Sequence, residues 1–180
     1  MISNESGVIM MKKFGNSVGI LFLSTLLGVG AIFSHAEAAT TNEKYVKPHY
    51  TYNGYVYNNS KFVLNQYFVK ALKYDNVKMN GYKINPKAKV GLGGTTFKKY
   101  DVVFLEDRKH RVGHMRFDIK PGTVKKSTFL KAHKANKIVR KYANQDKSGY
   151  VKYKTNKANY LASFNSKGYI TSMEIGVIPQ

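Results

Sequence analysis

Apolar side chains recur every third or fourth residue in two parts of this chain and every second residue through most of the rest. From Lys61 to about Tyr74 (KFVLNQYFVKALKY), Phe62, Leu64, Tyr67, Phe68, Ala71 and Leu72 fall at helical spacing, with Ser60 placed to cap the first turn. Val77 to Met79 and Tyr82 to Ile84 flank Asn80-Gly81, the pair that most strongly signals a two-residue hairpin. Phe97 to Glu106 and Arg111 to Lys120 read as two longer strands joined at Asp107 to Lys109, the second stopped by Pro121-Gly122. A second helix is predicted from Ser127 to about Ala143, with Ala132, Ala135, Val139, Tyr142 and Ala143 on one face and Lys134, Lys137 and Lys141 on the other. Three strands close the chain: Tyr150 to Thr155, Ala158 to Asn165 and Tyr169 to Ile178.

Helix then strands, twice over, lacks the strand-helix alternation of a parallel sheet. The expected fold is α+β: one domain over residues 48–180, mainly antiparallel sheet, with two helices packed on one face and the other face open to solvent. Side-chain alternation separates the two faces in advance. Met115, Phe117 and Ile119 should point inward, with His114, Arg116 and Asp118 outward. Val151, Tyr153 and Thr155 should be buried, with Tyr150, Lys152 and Lys154 wet. Around Asn53-Gly54, a short ribbon would bury one of the pairs Tyr50/Tyr52 and Tyr55/Tyr57 and show the other.

The N-terminus reads differently from the remainder. Lys12 and Lys13 precede the apolar run Val18 to Phe33, and Ala36-Glu37-Ala38 supplies small residues for cleavage, so residues 1–38 are expected to be a cleaved secretory signal and 39–47 a flexible leader. The run is short for a bilayer crossing, and no stable membrane insertion is expected. The chain carries no cysteine, which excludes thiol chemistry and disulfide support.

Charge changes the picture most. The formal net charge is +20, and losing Lys12, Lys13, Glu5 and Glu37 with the signal would leave it there. Such a field attracts polyanions: nucleic acid, anionic cell-wall polymer, sulfated glycan or acidic lipid. Lysine far outnumbers arginine, whose only representatives are Arg108, Arg111, Arg116 and Arg140. Lysine is a mobile point charge, whereas the arginine fork reads guanine edges, so binding without sequence preference is expected. The densest basic cluster is Lys125, Lys126, Lys131, Lys134, Lys137, Arg140 and Lys141. With Tyr150, Lys152, Lys154, Arg111, Arg116, Tyr55 and Tyr57, it forms the candidate contact set, with lysines for phosphates and tyrosines for stacking.

Catalytic patterns are thin. His110 and His114 stand four residues apart, but in a turn and strand rather than on a helix, and HExxH is absent, so no metal or cofactor is expected. His114, Arg116 and Asp118 are the residue types of a metal-independent nuclease without a specified second acid or base. GLGGTT at Gly91 to Thr96 lacks the lysine and spacing of a phosphate loop. His133 is expected at the boundary between the apolar and basic faces of the second helix.

The stretch His49 to Ile84 (HYTYNGYVYNNSKFVLNQYFVKALKYDNVKMNGYKI) resembles the immunodominant staphylococcal antigen B family. The tyrosine run with Asn53-Gly54, Asn58-Asn59, the string Lys73 to Lys78 and Asn80-Gly81 carry the resemblance. It implies a secreted, cell-surface-associated antigen, not an enzyme, associated with binding extracellular nucleic acid, DNA or RNA, without sequence preference. The alternative is an adhesin or antigen held by charge alone on anionic cell-wall or host glycan polymers.

Overall fold

A computed structural model describes residues 46–91 and 93–177; the expected signal, and the leader up to residue 45, lie outside the described residues. The tyrosine-rich opening departs first from expectation. Residues around Asn53-Gly54 close no ribbon. Instead β1 (Tyr50–Tyr52) runs parallel to β2 (Val77–Met79), with Tyr50 opposite Val77 and Tyr52 opposite Met79. The aromatic rings explain this choice. Tyr52 stacks on Phe62 with centroids 4.4 Å apart, and Tyr50 meets Phe68 edge-on at 5.4 Å, contacts worth more than their buried area alone. Tyr50 and Tyr52 are thus the packed pair, while Tyr55 and Tyr57 are exposed.

The first helix is shorter than the apolar stripe suggested. Tyr57–Leu64 is a 3-10 segment, and α1 (Gln66–Lys73) begins only after Asn65, whose side chain accepts from the Tyr67 N–H at 2.8 Å. Asn65 is therefore the N-cap. Ser60 is instead tied into the 3-10 turn: its hydroxyl donates to the Val56 carbonyl at 3.1 Å and accepts from the Lys120 N–H at 2.8 Å. The hairpin at Asn80-Gly81 forms as its chemistry demands. β2 pairs with β3 (Tyr82–Lys83), and both turn residues have positive φ, 50° and 93°.

The segment read as one strand from Phe97 to Glu106 is a hairpin, β4 (Thr95–Lys99) and β5 (Val102–Glu106), turned at Tyr100-Asp101. Asp101 holds that turn against the tyrosine segment, accepting from the N–H groups of Val56 and Tyr57 at 2.8 and 2.7 Å. β6 (Val112–Asp118) follows. The second predicted helix is the largest correction. α2 covers only Lys126–Ala132, and the chain then becomes β7 (Ile138–Ala143). β8 (Gly149–Lys154), β9 (Asn159–Phe164) and β10 (Ile170–Gly176) complete the chain close to their expected places.

β7 exists because the chain leaves α2 through a buried polar cluster. His133 is fully buried, not a boundary residue. Its Nε2 lies 3.0 Å from the Val63 carbonyl, and its Nδ1 lies 2.9 Å from the Tyr160 hydroxyl, which in turn accepts from Asn136 Nδ2 at 2.8 Å. Asn136 also donates to the Val69 carbonyl at 3.2 Å. These long-range bonds override the helical spacing of the alanines, since leaving such groups unpaired inside would cost about 1–3 kcal/mol each.

The result is α+β and mostly antiparallel. The strands form a small sheet, β1-β2-β3, and a seven-stranded sheet, β4-β5-β6-β10-β9-β8-β7, whose neighbours are all antiparallel. The predicted duplication of a helix-then-strands unit is not reproduced: three helical segments stand where two were expected, and the strands between α1 and α2 divide between two sheets. Phe104, Met115, Phe117, Met173, Tyr160 and Val151 contribute one face of the large sheet to a core shared with Phe62, Phe68 and Phe129. As expected from alternation, Ile119, Tyr153 and Thr155 are also buried.

Candidate functional site

The opposite, outward face of the large sheet carries a single row of directly opposed residues across all seven strands: Lys98, Val103, Arg116, Glu174, Leu161, Lys152 and Arg140. Its positive charge is concentrated at the β7–β8 edge. There the pairing sets Arg140 against Lys152 and Tyr142 against Tyr150, and neither strand contains a carboxylate. The Tyr142 and Tyr150 rings stack with centroids 5.6 Å apart, and the Arg140 guanidinium lies 6.0 Å from the Tyr150 ring. All of β7 is exposed. It is an edge strand, and its cations together with a bulge between Ile138 and Arg140 are devices that discourage edge-to-edge pairing.

Local chemistry builds this ribbon. At Gly149 an added Cβ would lie 2.1 Å from the Tyr142 carbonyl oxygen, so only glycine permits the strands to close there. Asp146 in the intervening turn accepts from the Ser148 N–H at 2.9 Å and hydroxyl at 2.6 Å. Those bonds hold its carboxyl below the usual carboxylate range, with Ser148 rather than a lysine as partner.

That pattern is general. Asp101 caps backbone N–H groups, Asp75 accepts from Thr155 and the Lys157 N–H, Glu106 meets His110 at 2.9 Å and Glu174 meets His114 at 3.1 Å. Among the described residues only Asp107 and Asp118 form ion pairs with arginines, Arg111 at 2.5 Å and Arg116 at 3.9 Å. Among the described residues no lysine forms an ion pair with a carboxylate.

The fold sorts the predicted contact residues into groups. Lys137, Arg140, Lys141, Tyr150, Lys152 and Lys154 are brought together on or beside the β7–β8 ribbon. Lys125, Lys126, Lys131 and Lys134 are separated from it, on and around α2, whose Phe129 faces the core; Lys126 Nζ sits 3.5 Å from the centre of the Phe164 ring. Arg111 is committed to the β5–β6 turn, where its Nε and terminal nitrogen both donate to Asp107. With three backbone N–H donors besides, that guanidinium holds the Asp107 carboxyl well below its ordinary range. Arg116 does face outward, but beside Asp118 and opposite Glu174. Tyr55 and Tyr57 belong to the segment held by the β4–β5 turn, whereas Tyr150 lies on β8 toward the other edge of the sheet, so the three tyrosines form no single platform. Tyr55 instead meets Tyr100 edge-on at 5.0 Å.

Sequence reading missed Tyr142, Lys98 and Tyr100. Tyr142 was assigned to the apolar face of a helix; the run Ile138-Val139, with Tyr142 and the turn-forming residues before Gly149, was the strand signal that could have found it. For catalysis, the structure places Glu174 beside His114, from the adjacent strand β10, which is distant only in sequence. His110 and His114 each have a carboxylate of their own, and no group of three or more metal-ligating side chains occurs among the described residues. Nor is any helix among them long and apolar enough to cross a membrane.

The model of the family described as immunodominant staphylococcal antigen B matches residues 49–175. The chain belongs to that family. Immunodominant staphylococcal antigen B from Staphylococcus aureus strains USA300, NCTC 8325 / PS 47 and COL is 43% identical to it over 81 residues, which is 43% of this chain and 46% of each relative. The match thus spans about half the length of those relatives. No solved structure matches. By the family's name these proteins are antigens, and residues 77–84, with the Asn80-Gly81 hairpin, fall within the matched region.

Proposed function

We propose that this protein is a secreted, cell-surface-associated antigen that binds extracellular nucleic acid without sequence preference, through the β7–β8 ribbon. One observation carries the reading: Arg140 and Lys152 are held directly opposite one another, with no carboxylate on either strand and a stacked tyrosine pair beside them. Like charges at such positions destabilise a sheet by roughly 0.2–1 kcal/mol. A polyanion laid along the ribbon converts that cost into binding energy, since each phosphate contact releases counterions and exposed rings stack on bases. The predominance of lysine supports indifference to sequence. The reading is of a binding protein, and plasmid incubated with it, with or without divalent metal, is expected to stay intact.

The deciding experiment is a salt titration of fluorescent oligonucleotide binding. With Lys137, Arg140, Lys152 and Lys154 engaged, affinity for duplex should fall as roughly the third to fourth power of salt concentration. Micromolar or tighter binding indifferent to salt would contradict the reading. The other reading, retention on anionic cell-wall or glycan polymers, is favoured by the same unpaired lysines, which as point charges suit any polyanion. Heparin or teichoic polymer displacing DNA at equal charge would select it.

A further inference from the structure

At its end away from the Asn144–Ser148 turn, the ribbon opens into a cleft of about 290 Å³ lined by Lys73, Lys137, Lys154, Tyr74, Thr155 and Asn156. The three lysines come from three different parts of the fold: the last residue of α1, the segment between α2 and β7, and the last residue of β8. Main-chain bonds hold them together. The Lys154 N–H donates to the Lys137 carbonyl at 2.8 Å, and the Asn156 N–H donates to the Lys73 carbonyl at 2.9 Å. The backbone positions of the three lysines around the cleft are therefore fixed by main-chain bonds.

The groups that would oppose an anion there are engaged in hydrogen bonds, and of them only Asp75 carries a full negative charge. The end of α1 carries the negative pole of the helix, but its carbonyls are taken: Ala71 by the N–H groups of Tyr74 and Asn76, Leu72 by Asp75, and Lys73 by Asn156. The neighbouring Asp75 carboxylate spends one oxygen on the Thr155 hydroxyl and the other on the Lys157 N–H at 2.7 Å. It fixes the Thr155 wall rather than pairing with a lysine. No carboxylate lines the cleft itself.

Three lysines around one concavity, with no carboxylate in its lining, favour an anion of charge −2 or −3 over the single charge of a phosphodiester. The volume is close to the lower end for small-molecule sites, about 300 Å³. We propose that the cleft is a binding site for a compact multiply charged phosphate group, a phosphomonoester or diphosphate, adjoining the backbone-tracking surface of the ribbon and sharing Lys137 and Lys154 with it. The proposal deepens the nucleic-acid reading and rests on it only where the phosphate is the end of a strand.

The test uses the purified full chain and inorganic pyrophosphate as probe, followed by calorimetry and by amide chemical shifts in low salt. One-to-one binding is expected, with the largest shifts at residues 73–74, 135–137 and 154–156. The double variant Lys137→Gln/Lys154→Gln should bind pyrophosphate about tenfold or more weakly, as loss of charge-assisted contacts predicts. The charge-matched variant Lys125→Gln/Lys131→Gln should change it less than about twofold, since screening mutes remote charges. Equal losses in the two variants, or shifts scattered without saturation, would overturn the site. Oligonucleotides ending in 5′-phosphate, 3′-phosphate or hydroxyl then identify the source: tighter binding of a phosphorylated end that the cleft variant abolishes assigns polymer termini, and pyrophosphate binding without end preference assigns a free ligand. The two readings fail separately. Saturable pyrophosphate binding in a protein that ignores oligonucleotides would remove the ribbon's function and leave the cleft's.

Discussion

Arg140 of β7 lies directly opposite Lys152 of β8, two cations held as neighbours on the outward face of the sheet with no acid on either strand. Replacing Lys152→Glu should therefore move stability and binding in opposite directions. Removing the repulsion and creating a cross-strand pair should raise stability by about 0.5–1 kcal/mol, read as an increase in Tm. The same change should weaken oligonucleotide binding and lower the slope of log affinity against log salt by at least one. If stability and affinity rise together, the pair is not held for an external anion.

The tyrosine pair makes a separate prediction. Tyr142 is 48% exposed and stacks on Tyr150. Tyr142→Leu keeps an apolar side chain on the strand but removes a stacking surface worth roughly 1–3 kcal/mol per base. Single-stranded oligonucleotides should bind about fivefold or more weakly, and duplex less than about twofold, as measured by fluorescence anisotropy.

His133 links stability to pH. Burial pulls it down from its ordinary 6.5 to about 4, opposed only partly by the bond to the Val63 carbonyl. The unfolded chain takes up the proton as pH falls through 6.5, whereas the folded protein resists until about 4. The stabilisation is therefore complete above 6.5 and is lost progressively toward 4, amounting to about 3 kcal/mol. Urea unfolding from pH 7.5 to 4 should show that decline. His133→Gln should be less stable at neutral pH yet nearly flat over the same window, while Asp107 and Glu174, whose carboxyls lie below their ordinary range, act at more acid pH. A wild-type protein equally stable at pH 7 and pH 4.5 would refute the neutral, buried imidazole.

The Tyr153 hydroxyl is buried in that same region without a hydrogen-bond partner, and burial pushes its pKa up to about 12. The ring stacks on Tyr160 at 4.6 Å, a contact that phenylalanine preserves. Tyr153→Phe should thus raise stability by up to about 1 kcal/mol, by removing an unsatisfied polar group. Tyr160→Phe should lower it, because that hydroxyl serves both His133 and Asn136. Paired thermal melts compare the two.

Asn80 couples the small sheet to the large one. Its side chain accepts from the Gly54 N–H at 2.7 Å and donates to the Lys99 carbonyl at 3.2 Å, from a backbone at φ 50°. Asn80→Gly retains the turn and loses the bonds, and Asn80→Ala loses both. The alanine variant should be the less stable of the two by about 1 kcal/mol, measured by chemical denaturation.

Some of the molecule was legible because the physics is local. Asn80-Gly81 specifies its turn by φ preference alone. The alternation of Met115, Phe117 and Ile119, and of Val151, Tyr153 and Thr155, identifies the buried face wherever the strand is placed. The break in the first helix was less visible. Asn65 interrupts a stripe whose apolar spacing continues across it, and only the packing of the 3-10 turn shows why the helix restarts there. The candidate site was legible in part: six of its residues were named, but scattered among eight others that the fold carries to α2, to the β5–β6 turn, to the middle of the sheet or to the tyrosine segment.

The sequence by itself determined the excess of lysine over acid, the in-and-out pattern of the strands and the hairpin at Asn80-Gly81, because charge, alternation and φ preference belong to residues and their immediate neighbours. Only the tertiary structure decided that residues 138–143 are an edge strand and not the end of a helix, that Arg140 meets Lys152, and that Lys73, Lys137 and Lys154 share a cleft. Strand pairing and the buried His133–Tyr160 contact join positions far apart in the chain, and their energy is realised only when both partners arrive.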